Sequence, residues 1–170
     1  VTAGRVLAAS VVLAGLLAGV AMWWLQTRAF YVTVERAAMT VVPAGGGEAR
    51  PVPVEGFEGI DSGSSPIRYR ACFEMDTVIL DDAAPAPDAV PLTAPGWFGC
   101  FDAEAIGLAL EAGDATAILS RENAPYGIDR VIALFPDGRG YAWTQINRCG
   151  RVVFDGDPAP EGCPPPPGDG

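Results

Sequence analysis

Residues 6–25 read VLAASVVLAGLLAGVAMWWL, and this stretch decides the architecture. It runs for 20 residues without a charge, and its one hydroxyl is Ser10. At helical rise such a run covers about 30 Å, the thickness of a hydrocarbon core. Over that length in lipid, only a helix or a closed barrel satisfies its own backbone. Trp23 and Trp24, followed by Phe30 and Tyr31, form an aromatic belt at the outer end, where amphipathic rings sit among headgroups. A cleaved signal peptide is the competing reading, with Arg5 as its basic region and Gly19-Val20-Ala21 as its cleavage site. The apolar run continues through the tryptophans instead of stopping, so a retained anchor is expected. Gly15 and Gly19 stand four apart, and Gly4 and Ala8 extend the small-residue face. Small residues at this spacing let a second helix approach closely, although Gly and Ala are common in spans generally. With no ionisable residue inside it, the span is not an ion or proton path.

The whole chain has 170 residues and a net charge of −10, with 11 basic against 21 acidic residues. Every basic residue is Arg, and there is no His and no Lys. This balance argues against nucleic acid as a partner, which requires a basic face. The missing residue types remove Ser-His, Cys-His and Ser-Lys catalysis, Schiff-base chemistry, His-ligated metals and a Walker lysine. No catalytic residue, no metal site and no cofactor is expected, and the chain reads as a non-enzyme. An enzyme here would have to work with carboxylates, Tyr or Cys alone.

Beyond the anchor, the composition divides the chain into four parts: 1–28 as the anchor, 29–66 as a membrane-proximal segment and linker, 67–156 as the compact domain, and 157–170 as an extended tail. Pro43 to Pro53, with Gly45-Gly46-Gly47, reads as linker or long loop. Ile67 to Phe73 alternates as a strand does. Asp81 to Pro95 reads as loop, with four prolines and three aspartates. Asp102 is placed to cap a helix over Ala103 to Ala112, with Ile106, Leu108 and Leu110 on its apolar positions and Gly113 as its stop. Strands follow at Ala115 to Ser120 and Ile128 to Phe135. Pro136-Asp137-Gly138-Arg139-Gly140 makes a turn into Tyr141 to Asn147. Arg148-Cys149-Gly150 reads as a further turn into a strand from Arg151 to Asp155. The expected fold is therefore a single transmembrane helix plus a small α+β periplasmic domain, an antiparallel meander with one helix, stapled by disulfides. The tail, with six prolines from Asp157 to Gly170, should be extended and held through Cys163.

Cys72, Cys100, Cys149 and Cys163 all follow the anchor, separated by 28, 49 and 14 positions. No CxxC occurs, so neither a zinc ribbon nor a redox dithiol is supported. Two structural disulfides are expected. Three pairings are open, and joining near neighbours along the chain favours Cys72–Cys100 with Cys149–Cys163. Disulfides belong in oxidising compartments. The flanking charges are nearly balanced, Arg5 before the span against Arg28, Glu35 and Arg36 after it, so the cysteines set the orientation. The expected orientation is N-terminus inside and the cysteine-bearing C-terminal domain outside, in an oxidising compartment.

Asp81, Asp82 and Asp88 share a loop but lack EF-hand spacing, so they read as solvated rather than calcium-binding. Trp97, within Gly96-Trp97-Phe98-Gly99, is either core filling or an exposed anchor for a partner. Arg68 and Arg70, two apart on an expected strand, share a face and are candidate partner contacts, or cross-strand partners for acids. The acidic domain is suited to steering a basic soluble electron carrier, or simply to solubility.

Ser65-Pro66-Ile67-Arg68-Tyr69-Arg70-Ala71-Cys72-Phe73, Ala94-Pro95-Gly96-Trp97-Phe98, Cys100-Phe101-Asp102-Ala103-Glu104, Tyr126-Gly127-Ile128-Asp129-Arg130, Gln145-Ile146-Asn147-Arg148-Cys149-Gly150 and Pro160-Glu161-Gly162-Cys163-Pro164 carry a resemblance. Over nearly its whole length the chain resembles an uncharacterised single-span family of alphaproteobacteria related to Rhodobacter. Some members are labelled histidine kinase; a chain without His or an ATP-binding glycine motif does not support that label. The resemblance implies no established activity and a bacterial source with a periplasm; with the orientation read from the cysteines, the expected location is a bacterial inner membrane, N-terminus cytoplasmic and C-terminal domain periplasmic.

Two functions are expected from these residues. The first is an accessory subunit of a larger inner-membrane complex, respiratory or photosynthetic. It would pack its helix in the bilayer against an integral membrane complex and cover or extend that complex's periplasmic face. The second is a free-standing, membrane-anchored periplasmic binding or assembly module.

Overall fold

The computed structural model describes residues 2–36 and 38–168; residues 1 and 169–170, at the outer ends of the anchor and tail, lie outside them. The chain divides into two units, Val1–Tyr31 and Val32–Gly170.

The first unit is a helix, α1 (Ala3–Trp24), continued by one π-helical turn over Leu25–Ala29. None of its residues is buried. Ser10 donates its hydroxyl back to the carbonyl of Val6 at 2.9 Å, and Thr27 does the same to Trp23 at 2.7 Å. The few hydroxyls are thus satisfied within the helix, as an apolar solvent demands. The helix is long and apolar enough to cross a membrane.

The second unit is a disulfide-bonded α+β domain built on an antiparallel sheet. Its strands are β1 (Val32–Val34), β2 (Ala38–Val41), β3 (Arg50–Pro53), β4 (Glu55–Asp61), β5 (Arg70–Glu74), β6 (Thr116–Arg121), β7 (Ile128–Leu134) and β8 (Arg139–Ile146). Two α-helices, α2 (Ala103–Ala112) and α3 (Arg148–Val153), and a 3-10 helix over Thr77–Asp82 complete it among the described residues. Six strands form one sheet in the order β1-β4-β5-β8-β7-β6, and β2 and β3 form a separate hairpin. The expected meander β6-β7-β8 is present, but β5 continues the sheet beyond β8, through Cys72 opposite Tyr141 and Arg70 opposite Trp143.

The two faces of the sheet follow from the period of two. Tyr69, Ala71 and Phe73 point to the face covered by the β2-β3 hairpin, where they meet Met39, Val41, Ile118, Ile132 and Leu134 in one core cluster. Trp143 is fully buried, with Phe101 edge-on to it at 6.3 Å. This second layer is held by the Cys72–Cys100 disulfide, which ties β5 to the stretch leading into α2.

Several local expectations change. The linker read over Pro43 to Pro53 contains β3, and, among the described residues, 29–66 hold four of the eight strands. The three glycines belong to the connection between β2 and β3, where Gly46 and Gly47 adopt positive φ, so they end a strand rather than separate domains. Part of the Asp81 to Pro95 loop lies alongside β6, with Leu119 N–H donating to Ala84 at 2.8 Å and Ala86 N–H to Ala117 at 3.0 Å. A proline-rich stretch serves there because an edge position needs only alternate donors. The strand expected from Arg151 to Asp155, and the turn before it, are together the helix α3. The Asn147 side chain accepts from Gly150 N–H at 2.9 Å, an N-cap that outweighs the β-propensity of Val152 and Val153. Helix α2 has the expected bounds, with Asp102 accepting from Glu104 and Ala105 and Gly113 left-handed at φ 78°. It buries Ile106 alone, whereas Leu108 is 59% exposed on the outer side.

Candidate functional site

A polar cleft lies where β7 begins and β8 ends. The chain between β6 and β7 turns through Asn123, which adopts φ 50°, a conformation Asn tolerates better than most residues. Asp129 then accepts from Asn123 N–H and from the Asn147 side-chain amide, both at 2.8 Å. The backbone N–H of Asn147 donates to Gly127 at 2.9 Å, which ties the start of α3 to this turn. The cleft has a volume of about 430 Å³ and is lined by Asp88, Glu122, Asn123, Asp129, Gln145, Asn147, Arg148 and Arg151 among others. A second, apolar cleft of about 320 Å³ shares Asp88, Gln145 and Arg151 and adds Ile67, Val90, Leu92 and Ile146. Together they form an amphipathic depression with carboxylates, guanidinium groups and a hydrophobic shelf. Gln145 organises it: its carbonyl accepts from Trp143 Nε1 and from Val90 N–H, both at 2.9 Å, and its amide donates to Asp88 O at 2.8 Å. Such an arrangement can bind a small amphipathic ligand or a peptide segment. Asp129 is committed to holding the turn.

A second polar feature lies across the sheet, on the face covered by the β2-β3 hairpin. Arg130 stands opposite Thr144 on β8 and opposite Arg121 on β6. Its guanidinium lies over the Tyr69 ring, 3.9 Å from the centroid. Arg130 Nε and Thr144 Oγ1 are both buried without a hydrogen-bond partner. Burial pushes the Tyr69 hydroxyl above the ordinary tyrosine range, partly offset by Arg130 and Arg36. Burial likewise lowers Arg130, with Tyr69 opposing and the like charges of Arg36 and Arg121 reinforcing the shift.

The residues singled out in the sequence fall as follows. The four cysteines form Cys72–Cys100 and Cys149–Cys163, the pairing favoured by chain order. The second bond ties α3 to the tail, but it does not act alone. Arg148 donates to Glu161 O at 2.8 Å and Tyr126 to Pro164 O at 3.0 Å. Gly4, Gly15 and Gly19 face open space, Ala8 is exposed, and Trp23, Trp24 and Phe30 are exposed on the helix end, with Tyr31 half-buried. Trp97 is half-buried and edge-on to the buried Phe98 at 6.3 Å.

Arg68 and Arg70 do not share a strand face. Arg68 precedes β5 and donates to Ser64 Oγ at 3.3 Å. Arg70 is only 4% exposed and is not a surface contact. It donates to the carbonyls of Leu92 at 2.6 Å, Tyr69 at 2.7 Å, Ile67 at 2.9 Å and Thr93 at 3.3 Å, so it gathers the loop ends around it. Its five donors make it suited to holding carbonyl groups that no strand pairs.

Asp82 of the acidic loop pairs with Arg50 at 2.7 Å, and among the described residues no group of three or more His, Cys, Asp or Glu is arranged to hold a metal. Asn123, Asp129, Asn147, Arg121, Arg130 and Tyr69 were not singled out as a group from the sequence. The signal that finds them is the β6-β7 hairpin, whose register sets Arg121 against Arg130.

No curated protein and no solved structure matches the chain. Residues 39–164, which include strands β3 to β8, both disulfides and both clefts, match a family of unknown function (DUF6446), and the chain belongs to that family.

Proposed function

We propose that the chain is a non-catalytic accessory subunit of a larger inner-membrane complex of respiratory or photosynthetic electron transport. In this reading α1 packs against neighbouring helices in the bilayer, and the domain covers or extends the periplasmic face. The observation that carries it is α1 itself: a 22-residue apolar helix with no buried residue and open space at Gly4, Gly15 and Gly19. Small residues over several turns permit close helix contact in lipid.

The two disulfides support a periplasmic domain and a cytoplasmic N-terminus. The resemblance to single-span alphaproteobacterial proteins supports a bacterial source. The net charge of −10 supports long-range steering of a basic soluble electron carrier toward the complex. A free-standing anchored binding module is the second reading, favoured by the adjoining polar and apolar clefts around Gln145.

The test replaces Gly15 and Gly19 together by Leu. The accessory-subunit reading expects the variant to insert normally but to lose most of its co-purifying membrane partner in mild detergent. Unchanged recovery removes the small-residue face from the account.

A further inference from the structure

The row of side chains under the β2-β3 hairpin has more donors than acceptors. Arg121 and Arg130 sit directly opposite one another in the β6-β7 ladder, a like-charge pairing that costs stability unless something lies between. Thr144, 5% exposed and directly opposite Arg130, holds a hydroxyl without a partner beside the unpartnered Nε of Arg130. Tyr69 donates to the sulfur of Met39 at 3.6 Å, a weak acceptor. Arg36 reaches the Tyr69 hydroxyl, and Asp61 is the acid that faces both Tyr69 and Arg130. The described ion pairs, Arg50–Asp82 and Arg139–Asp137, lie elsewhere. Three arginines thus converge in a chain where acids outnumber bases by 21 to 11.

Buried polar groups in proteins normally find partners, and those that do not point to a missing water, ion or ligand. Water screens repulsion between guanidinium groups without neutralising either charge; an anion between them turns the repulsion into attraction. Guanidinium forks match tetrahedral oxyanions, and phosphate above all, through paired N–H donors. Arg36 and Arg121 are exposed, so an anion meets them from solvent. We propose that Arg36, Arg121 and Arg130 form an anion site that takes a phosphoryl group, presented by an anionic phospholipid headgroup or by free phosphate. This site does not depend on whether α1 recruits a partner.

The test is calorimetric titration of the full chain in a neutral detergent at constant ionic strength. The titrants are inorganic phosphate, short-chain phosphatidylglycerol and short-chain phosphatidylcholine. Saturable binding of phosphatidylglycerol alone assigns the site to a lipid headgroup, and saturable binding of phosphate assigns it to the phosphoryl group itself. Either supports the proposal when Arg121→Gln and Arg130→Gln each weaken it about tenfold and Arg50→Gln leaves it unchanged. Arg121 is exposed, so its variant decides the matter even where Arg130→Gln fails to fold. No saturable binding of phosphate or phosphatidylglycerol, equal binding of phosphatidylcholine, or wild-type affinity in Arg121→Gln overturns it.

Discussion

Replacing Gly150 by Ala tests how α3 is seated on the sheet. A methyl group there meets the carbonyl oxygen of Gly127, and lies 2.8 Å from its Cα and 2.9 Å from its carbonyl carbon. These are backbone atoms, so no side-chain rotation relieves the contact. Gly127 is itself hemmed in: it adopts φ 80°, and a Cβ on it would lie 2.7 Å from the Cα of Gly150. Overpacking of this kind costs about 1–3 kcal/mol. Moving α3 away also strains the Asn147 N–H bond to Gly127, at 2.9 Å, which contributes about 1 kcal/mol. The sum is about 2–4 kcal/mol, and for a domain of this size each kcal/mol shifts the melting temperature by roughly 3–4 °C. Gly150→Ala should therefore melt about 6–16 °C lower than the wild type. The assay is near-ultraviolet circular dichroism on the full chain in detergent, where the buried Trp143 reports packing of the domain. Gly45→Ala is the control, since nothing lies within 4 Å of its added Cβ and its φ is not positive. A Gly150→Ala melt within about 2 °C of wild type would refute the tight seating of α3.

Arg70→Met should lower stability by about 2–4 kcal/mol, because four backbone carbonyls lose their shared donor; denaturant unfolding checks this, and a neutral result would refute the role of Arg70 in holding the loop ends together. Removing the second disulfide with Cys149→Ser and Cys163→Ser should cost about 2–4 kcal/mol and open the tail beyond Asp157 to limited proteolysis, with Arg148 and Tyr126 as its remaining ties. Tyr69 should resist ionisation at a pH where ordinary tyrosines titrate, about 10, because burial raises its folded value. The unfolded chain then holds fewer protons than the folded one, so this contribution to stability is complete below about pH 10 and is lost as pH rises through the folded value. Ultraviolet titration of wild type against Tyr69→Phe checks it: the late phenolate step should vanish in the variant.

The apolar run at residues 6–25 was legible as one long helix because its length and unbroken apolar composition are local features of the sequence. Helix α2 was legible because Asp102 and Gly113 mark its ends by local chemistry. The three strands β6 to β8 were legible from alternation and from the Asp137-Gly138 turn. What escaped depended on contacts distant in sequence. Residues 32–61 look like linker by composition, yet β4 becomes a sheet strand by pairing with β5 through Glu58 opposite Cys72. Helix α3 looked like a strand because its capping interaction competes with two valines. Arg70 looked exposed because its partners are carbonyls at Leu92 and Thr93, on a loop that sequence spacing does not bring near. The arginine row escaped for the same reason, since Arg121 and Arg130 stand opposite one another only once β6 and β7 pair.

The central claim is that the apolar helix serves to join the domain to a larger membrane assembly. Purification in mild detergent through a C-terminal tag on the full chain, followed by mass spectrometry of what remains bound, tests it most directly. Stoichiometric recovery of a multi-subunit integral membrane complex is the predicted result. Recovery of the chain alone, from membranes where it is abundant and intact, would contradict it.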